Sequence, residues 1–184
     1  MSNLCKNIIQ YNNFRVIPNV LDEDQVQELI EYWNGLTIGD TVNVNNWDVN
    51  STTKTKIQAS NRDVEIIGIP SNKFGFLTEK LIECFSCFID EPILELPHYF
   101  TYYPIGGKHS RHRDSGPDYN RDLVLTLFLN DDFVGGELVI NGETAPVVKY
   151  SAIIYDGNLF HEVKSVTFGE RFVITECAGK KLNL

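Results

Sequence analysis

The sequence predicts a mainly β fold, a β-sandwich or jelly roll supported by two helices in its N-terminal half, and three observations carry that expectation. After Pro97 the chain breaks into eight short runs rich in aromatic and β-branched residues, at 98–104, 108–114, 122–130, 136–140, 145–149, 151–155, 160–166 and 171–177, divided by Gly, Asn and Asp. Ahead of them stand two apolar stripes at helical spacing. The length of 184 residues suits one core, so residues 1–184 are read as a single domain.

The first element is a short strand over residues 14 to 20. Asp22 then opens a helix: its carboxylate can accept from the N–H of residue 25 while the Gln25 side chain reaches back, the reciprocal pattern of a capping box. Val26, Leu29, Ile30 and Trp33 follow on one face, and the helix ends near Gly35. Residues 39 to 62 are rich in Asn, Thr, Ser and Asp, which predicts a long loop or irregular strands. With Trp47 and Arg62 in it, that stretch is a candidate lid over a ligand. Val64 to Ile69 reads as a strand. Phe74 to Phe88 reads as a second amphipathic helix, with Leu77, Leu81, Cys84, Phe85 and Phe88 on its apolar face.

The formal net charge of −9 disfavours nucleic acid as a partner, since affinity for a phosphate backbone comes from Lys and Arg displacing counterions. Lys108, Arg111 and Arg113 nonetheless form a local basic run that could steer an acidic substrate. No run approaches the roughly 18 apolar residues of a membrane span, and Met1 to Lys6 lack the apolar stretch of an export signal. The expectation is a cytoplasmic protein without membrane association, in which Cys5, Cys84, Cys87 and Cys177 are reduced thiols and not a disulfide framework.

His112 and Asp114 flank one residue on a candidate strand, so their side chains leave the same face and can share an ion. His161, 49 residues after His112, opens a later strand and can supply a third donor. Two imidazoles and one carboxylate form the facial set that leaves three coordination positions open, which suits non-haem Fe(II) oxygenases better than closed zinc sites. A 2-oxo acid would take two of those positions and O2 the third. Arg171, ten residues past His161, could hold the distal carboxylate of 2-oxoglutarate through two charge-assisted hydrogen bonds. Singly, each residue has an ordinary structural reading as a surface ion pair, a core histidine or a strand-edge salt bridge; their order and spacing carry the chemistry together.

The run Tyr103-Pro104-Ile105-Gly106-Gly107-Lys108-His109-Ser110-Arg111-His112-Arg113-Asp114, with Leu123 to Leu129, Gly135-Gly136-Glu137-Leu138, His161-Glu162-Val163 and Gly169-Glu170-Arg171, resembles the prolyl 4-hydroxylase-like 2-oxoglutarate/Fe(II) dioxygenases over most of residues 98–177. The shared pattern is a Tyr nine residues before the first His, a Gly three after that Tyr, and a basic residue ten after the second His. The resemblance implies a double-stranded β-helix, the cupin-like jelly roll. It implies iron on His112, Asp114 and His161, 2-oxoglutarate on Tyr103 and Arg171, O2 as oxidant and ascorbate as reductant. It also implies hydroxylation of an unactivated C–H bond, most directly a prolyl residue of a peptide or protein. Thr126, by its alternation on the strand Leu123 to Leu129, is a further cosubstrate candidate.

Two positions depart from the family pattern. His109 stands where relatives often have a Tyr lining the substrate groove, and Cys177 stands where many have a Trp. His109, and Arg113 by its charge, are the substrate-binding candidates. A hydroxylase of a free amino acid or small metabolite is an alternative, and a non-catalytic metal-binding β-barrel module is one of another class. Asp114 disfavours a halogenase, and Cys177 in place of a second Arg disfavours a nucleic-acid demethylase.

Overall fold

A computed structural model describes residues 3–42, 52–116 and 121–180. A 3-10 turn, Leu4–Asn7, leads into β1 (Ile9–Gln10), β2 (Phe14–Ile17) and helix α1 (Glu23–Gly35). Strands β3 (Ile38–Val42), β4 (Lys54–Ala59) and β5 (Arg62–Ile69) precede helix α2 (Gly75–Phe85). The remainder is all strand: β6 (Ile93–Leu94), β7 (His98–Tyr103), β8 (Lys108–His112), β9 (Leu123–Phe128), β10 (Val134–Gly135), β11 (Leu138–Ile140), β12 (Glu143–Thr144), β13 (Ala152–Asp156), β14 (His161–Val163), β15 (Val166–Phe168) and β16 (Arg171–Gly179).

Hydrogen bonds connect these strands in the order β1-β2-β13-β9-β16-β7-β5-β8-β14-β11-β12. The long strand β5 is where the sheet turns on itself: it pairs with β7 along Glu65–Ile69 and with β8 at Arg62 and Asp63. The result is the expected jelly roll, an antiparallel sheet curled around an interior. Strand alternation divides the core in two. On β16, Val173 and Cys177 face the interior while Ile174 and Ala178 face the helices, and on β13 Ile153 and Tyr155 divide from Ala152 and Ile154 in the same way.

The helices form because their caps and stripes agree. The Asp22 carboxylate accepts from the Gln25 backbone N–H at 2.9 Å, and the Gln25 side chain accepts from the Asp22 N–H at 3.1 Å. Val26, Leu29 and Trp33 then bury against the outer face of the sheet, with Trp33 4.8 Å from the Phe100 ring. Leu77, Leu81, Cys84 and Phe85 do the same for α2. Within 39–62 the described residues take the irregular-strand alternative, building β3 and β4 with a register shift between Ile38 and Thr41, because Thr55 and Ile57 suit a half-buried strand and β5 offers an antiparallel edge. Residues 43–51, including the lid candidate Trp47, lie outside the described residues. The stretch 145–149 forms no strand: Pro146 has no N–H for a ladder, and Ala145 makes a single bond to the Leu138 carbonyl.

The cysteine expectation is also corrected. Cys5 and Cys87 form a disulfide that ties the 3-10 turn to the segment after α2, while Cys84 and Cys177 are buried free thiols. Helix geometry explains why Cys87 does not join its Cys-x-x-Cys partner: Cys84 belongs to the buried face of α2, and Cys87 lies past the helix end.

Behind β16 a buried polar pair pins α2 to the sheet. The Thr78 hydroxyl donates to the Ser71 carbonyl at 2.9 Å, so the His98 Nε2 at 2.8 Å is the donor to Thr78. His98 Nδ1 makes a short contact with Glu176, whose other oxygen accepts from the Cys177 N–H at 3.0 Å. Burial lifts the Glu176 carboxyl to about 7 against the pull of His98.

Two outcomes follow for solution work. Unfolding without reductant should expose two reactive thiols per chain, and Cys5→Ser should raise that number to three; four in the wild type would remove the disulfide. For Glu176 the folded pKa lies above the unfolded one, so its stabilisation is complete at acidic pH and declines between about pH 4.5 and 7. The difference in urea stability between wild type and Glu176→Gln should therefore shift by roughly 1–3 kcal/mol from pH 5 to pH 8. Parallel pH profiles would show that Glu176 holds no proton in the folded state.

Candidate metal centre

Antiparallel pairing of β8 with β14 sets His112 opposite His161. Asp114, just past the end of β8, is fastened by its own N–H and that of Ser115, both donated to the Gly157 carbonyl at 3.2 and 3.1 Å. Gly157 must be glycine, since a Cβ there would sit 2.2 Å from the Arg121 carbonyl. One donor atom from each of His112, Asp114 and His161 lies within 4.8 Å of the other two.

The protonation of the two histidines tells what belongs between them. His112 Nδ1 lies 2.8 Å from the Ser110 carbonyl and His161 Nδ1 3.2 Å from the Leu159 carbonyl, so in each neutral ring the N–H is spent on Nδ1 and the lone pair sits on Nε2. Those Nε2 atoms lie 3.5 and 3.2 Å from the two oxygens of Asp114. Neighbouring ligands of an octahedral ion at bond lengths near 2.1 Å are separated by roughly 3 Å, so the spacing fits one cation. Burial would raise the Asp114 carboxyl, but when the two facing Nε2 atoms carry protons, their hydrogen bonds and charge overcome it and hold the carboxyl far below the usual carboxylate range; a cation would take the place of those protons.

Arg171, at the start of β16 and opposite Tyr103 in register, is completely buried in the same cavity. Its guanidinium carbon lies 4.6 Å from the Tyr103 ring centroid and 5.1 Å from that of Phe128. None of its three side-chain nitrogens has a hydrogen-bond partner among the described residues. Desolvation lowers its pKa, partly offset by Tyr103 and Tyr155. A buried, unshared cation is costly, and a carboxylate is the group whose shape and charge would satisfy it. Gly136, at φ +65°, makes room: a Cβ there would come within 2.9 Å of Arg171 Cδ.

Alternation delivers the rest of the lining. Tyr99, Thr101 and Tyr103 from β7, Thr126 from β9, Tyr155 from β13, and Val173, Thr175 and Cys177 from β16 all reach the cavity. The structure therefore brings His112, Asp114, His161, Tyr103, Arg171, Thr126 and His109 around one space. His109 joins because a register shift sets two residues of β8, Ser110 and Arg111, against one of β14, Glu162, turning His109 and His112 to the same side with ring centroids 3.8 Å apart. Burial, then Arg62 and His112, push its imidazole down to about 2, so it is neutral. Arg113 does not join them: it is exposed, with its guanidinium carbon 3.9 Å from the Phe160 ring centroid.

Sequence reasoning missed Tyr155, Arg121 and Glu95. Tyr155 stands 4.9 Å from the His161 ring, and the alternation of 151–155 could have flagged it. Arg121 grips Glu95 through two hydrogen bonds, one of 2.5 Å, beside the cavity. A separation of 26 residues left no local signal for that pair.

Residues 98–177 match the family model described as the 2OG-Fe(II) oxygenase superfamily. Among curated proteins no sequence matches the chain. Solved structures do. An oxidoreductase of the 2OG-Fe(II) oxygenase family from Burkholderia pseudomallei superposes with a TM-score of 0.68 at 14% identity, over 89% of this chain and 84% of that one. A prolyl-4-hydroxylase from Pseudomonas putida gives 0.65 at 18%, over 92% and 93%. A prolyl hydroxylase from Trichoplax adhaerens, in complex with a hypoxia inducible factor oxygen degradation domain peptide fragment, gives 0.67 at 19%, over 91% and 84%. At these identities the likeness is one of fold.

Anaerobic addition of Fe(II) should raise the melting temperature of the wild type, by an amount equivalent to about 2.7 kcal/mol at a hundred-fold excess over Kd. Asp114→Ala should show no such rise; equal shifts would take Asp114 out of the metal set.

Proposed function

We propose that this chain, which carries the 2OG-Fe(II) oxygenase superfamily segment over residues 98–177, is a 2-oxoglutarate-dependent dioxygenase that hydroxylates an unactivated C–H bond, acting on a prolyl residue of a peptide or protein. The observation that carries this reading is the fully buried guanidinium of Arg171, ringed by aromatic side chains but without a carboxylate partner among the described residues, in one cavity with His112, Asp114 and His161. A metal-binding recognition module would need the triad alone and would have no use for a buried cation.

His112, Asp114 and His161 would hold Fe(II). Bound there, the metal would couple oxidative decarboxylation of 2-oxoglutarate to insertion of one atom of O2 into the substrate C–H bond, the other oxygen leaving in succinate beside CO2. The carbonyls of Ser110 and Leu159 keep both Nε2 lone pairs turned inward. Arg171 would clamp the distal carboxylate while Tyr103, across the β7–β16 register, and Thr126 line its path. Leu138, Val163 and Val173 are the apolar walls that would keep bulk water from the reacting atoms. Ascorbate fits as reductant for an iron centre of this type. His109, whose ring centroid lies 3.8 Å from that of His112 in the cavity lining, would contact substrate.

The peptide substrate is supported by the fold likeness to prolyl hydroxylases, one of them solved with a peptide. A small zwitterionic substrate is the second reading, and one observation favours it: the Arg121–Glu95 pair sets both charge signs against the cavity, as an α-carboxylate and an α-ammonium would require. The cytoplasmic location expected from the sequence turns on the Cys5–Cys87 bond, since such bonds persist in oxidising compartments.

With Fe(II), 2-oxoglutarate and O2, Pro-containing peptides should yield succinate in step with a one-oxygen mass gain on proline; turnover with nucleobases alone would overturn the assignment. Arg171→Gln should raise the KM for 2-oxoglutarate by about 10- to 100-fold, as expected for loss of a charge-assisted bond worth about 1.5–3 kcal/mol. A KM that stays unchanged would place the cosubstrate elsewhere.

A further inference from the structure

The residues interleaved with the metal set carry an arrangement the oxygenase reading leaves unused. Arg111 and Arg113 flank His112, and Phe160 precedes His161. Neither arginine nor Phe160 reaches the cavity that His112 and His161 line. The guanidinium carbons of Arg111 and Arg113 lie 4.2 and 3.9 Å from the Phe160 ring centroid, so they are at most about 8 Å apart, the sum of the two distances. Both arginines and Lys108 are exposed.

In a chain of net charge −9, basic side chains would be expected to find acids. Among the described residues Lys108, Arg111 and Arg113 form no ion pair; Glu162, two residues past Phe160, is engaged with Lys164 at 2.8 Å, and Asp114 with the two histidines. Cation–π attraction to Phe160 holds two like charges near one another, and their mutual repulsion is relieved when an anion pairs with their exposed guanidinium edges. The patch is small and its planar forks match carboxylates. A long polyanion would have to lie along a surface of its own sign, which disfavours nucleic acid.

We propose that Arg111, Phe160 and Arg113 form a docking clamp for an acidic segment of a polypeptide substrate, next to the residue that enters the cavity. The proposal rests on the polypeptide-hydroxylase reading and deepens it. Arg113 lies just past the end of β8, with its backbone next to those of His112 and Asp114 although its side chain leaves the other face, so a substrate chain docked on the clamp has only that strand end to pass to bring its target to the cavity.

Fluorescence anisotropy on the metal-free chain tests this with two labelled peptides of equal length, each with one Pro. One carries three Asp or Glu residues beside it and the other Asn or Gln. The acidic peptide should bind about ten-fold more tightly, with an affinity that falls as salt rises. The double variant R111Q/R113Q should bind both peptides alike, and R111E/R113E should prefer a matched Lys-containing peptide. Phe160→Leu, which keeps both charges and releases their posture, should lose a few-fold. Equal affinity of the wild type for both peptides, a preference that survives R111Q/R113Q, or a single-stranded oligonucleotide bound as tightly as the acidic peptide would each overturn the clamp. Succinate formation is measured separately: its absence would sink the oxygenase reading, whereas loss of the peptide preference alone would sink only the clamp.

Discussion

The register between β8 and β14, which sets His112 directly opposite His161, is the constraint on which the rest of the molecule depends. A slip of β8 by one residue would carry His112 to the outer face and bring Arg113 in, because neighbouring side chains outside a bulge leave opposite faces of a strand. Several bonds outside the pairing hold that register. Gly106 N–H donates to the Val166 carbonyl at 2.8 Å, Val166 N–H to the Gly107 carbonyl at 3.0 Å, and Ser110 N–H to the Asn61 carbonyl at 2.7 Å. The site is thus supported by strands on both sides of β8.

The same alternation serves β16, the strand with the most varied demands. Its inward residues Arg171, Val173, Thr175 and Cys177 line the cavity, while Glu176, pointing the other way, ends in the pair with His98 that anchors α2. Both faces therefore contain a charge removed from water, and the two are handled differently. Glu176 is matched by partners inside the protein, so it acts on stability. Arg171 is not, and a fold tolerates such a group when the missing partner is a ligand.

Much of this was legible in the sequence because it is written at short range. The spacing of His112 and Asp114, the capping box at Asp22 and Gln25, and the stripe through Val26, Leu29 and Trp33 are local patterns that the structure repeats. Other features depend on distant partners. Arg121 meets Glu95 and Cys5 meets Cys87 only because the sheet curls and α2 packs where it does. Lys54 to Ala59 is polar enough to pass for a loop, yet it becomes a strand when β5 supplies an edge. The inward turn of His109 comes from a register shift that an i, i+2 rule cannot foresee. Arg113, named for substrate binding by its charge, is exposed and outside the cavity, where the alternation of His112 and Asp114 would put the residue between them.

Net charge was the weakest guide to the site. A total of −9 spread over the surface is screened beyond about 8 Å at physiological ionic strength, so it says little about a buried cavity or a patch two arginines wide. The cations that matter, Arg171, Arg62 and Arg121, are wholly or largely removed from solvent, where screening is weak and low-dielectric walls strengthen their field. An anionic cosubstrate approaching this acidic molecule is opposed weakly at long range and attracted strongly at short range. Such a profile admits small dianions and short acidic segments while turning away extended polyanions, whose charge must be accommodated along the whole contact. The acidic surface and the arginine-lined interior are then two parts of one selection, the first acting on size and the second on sign.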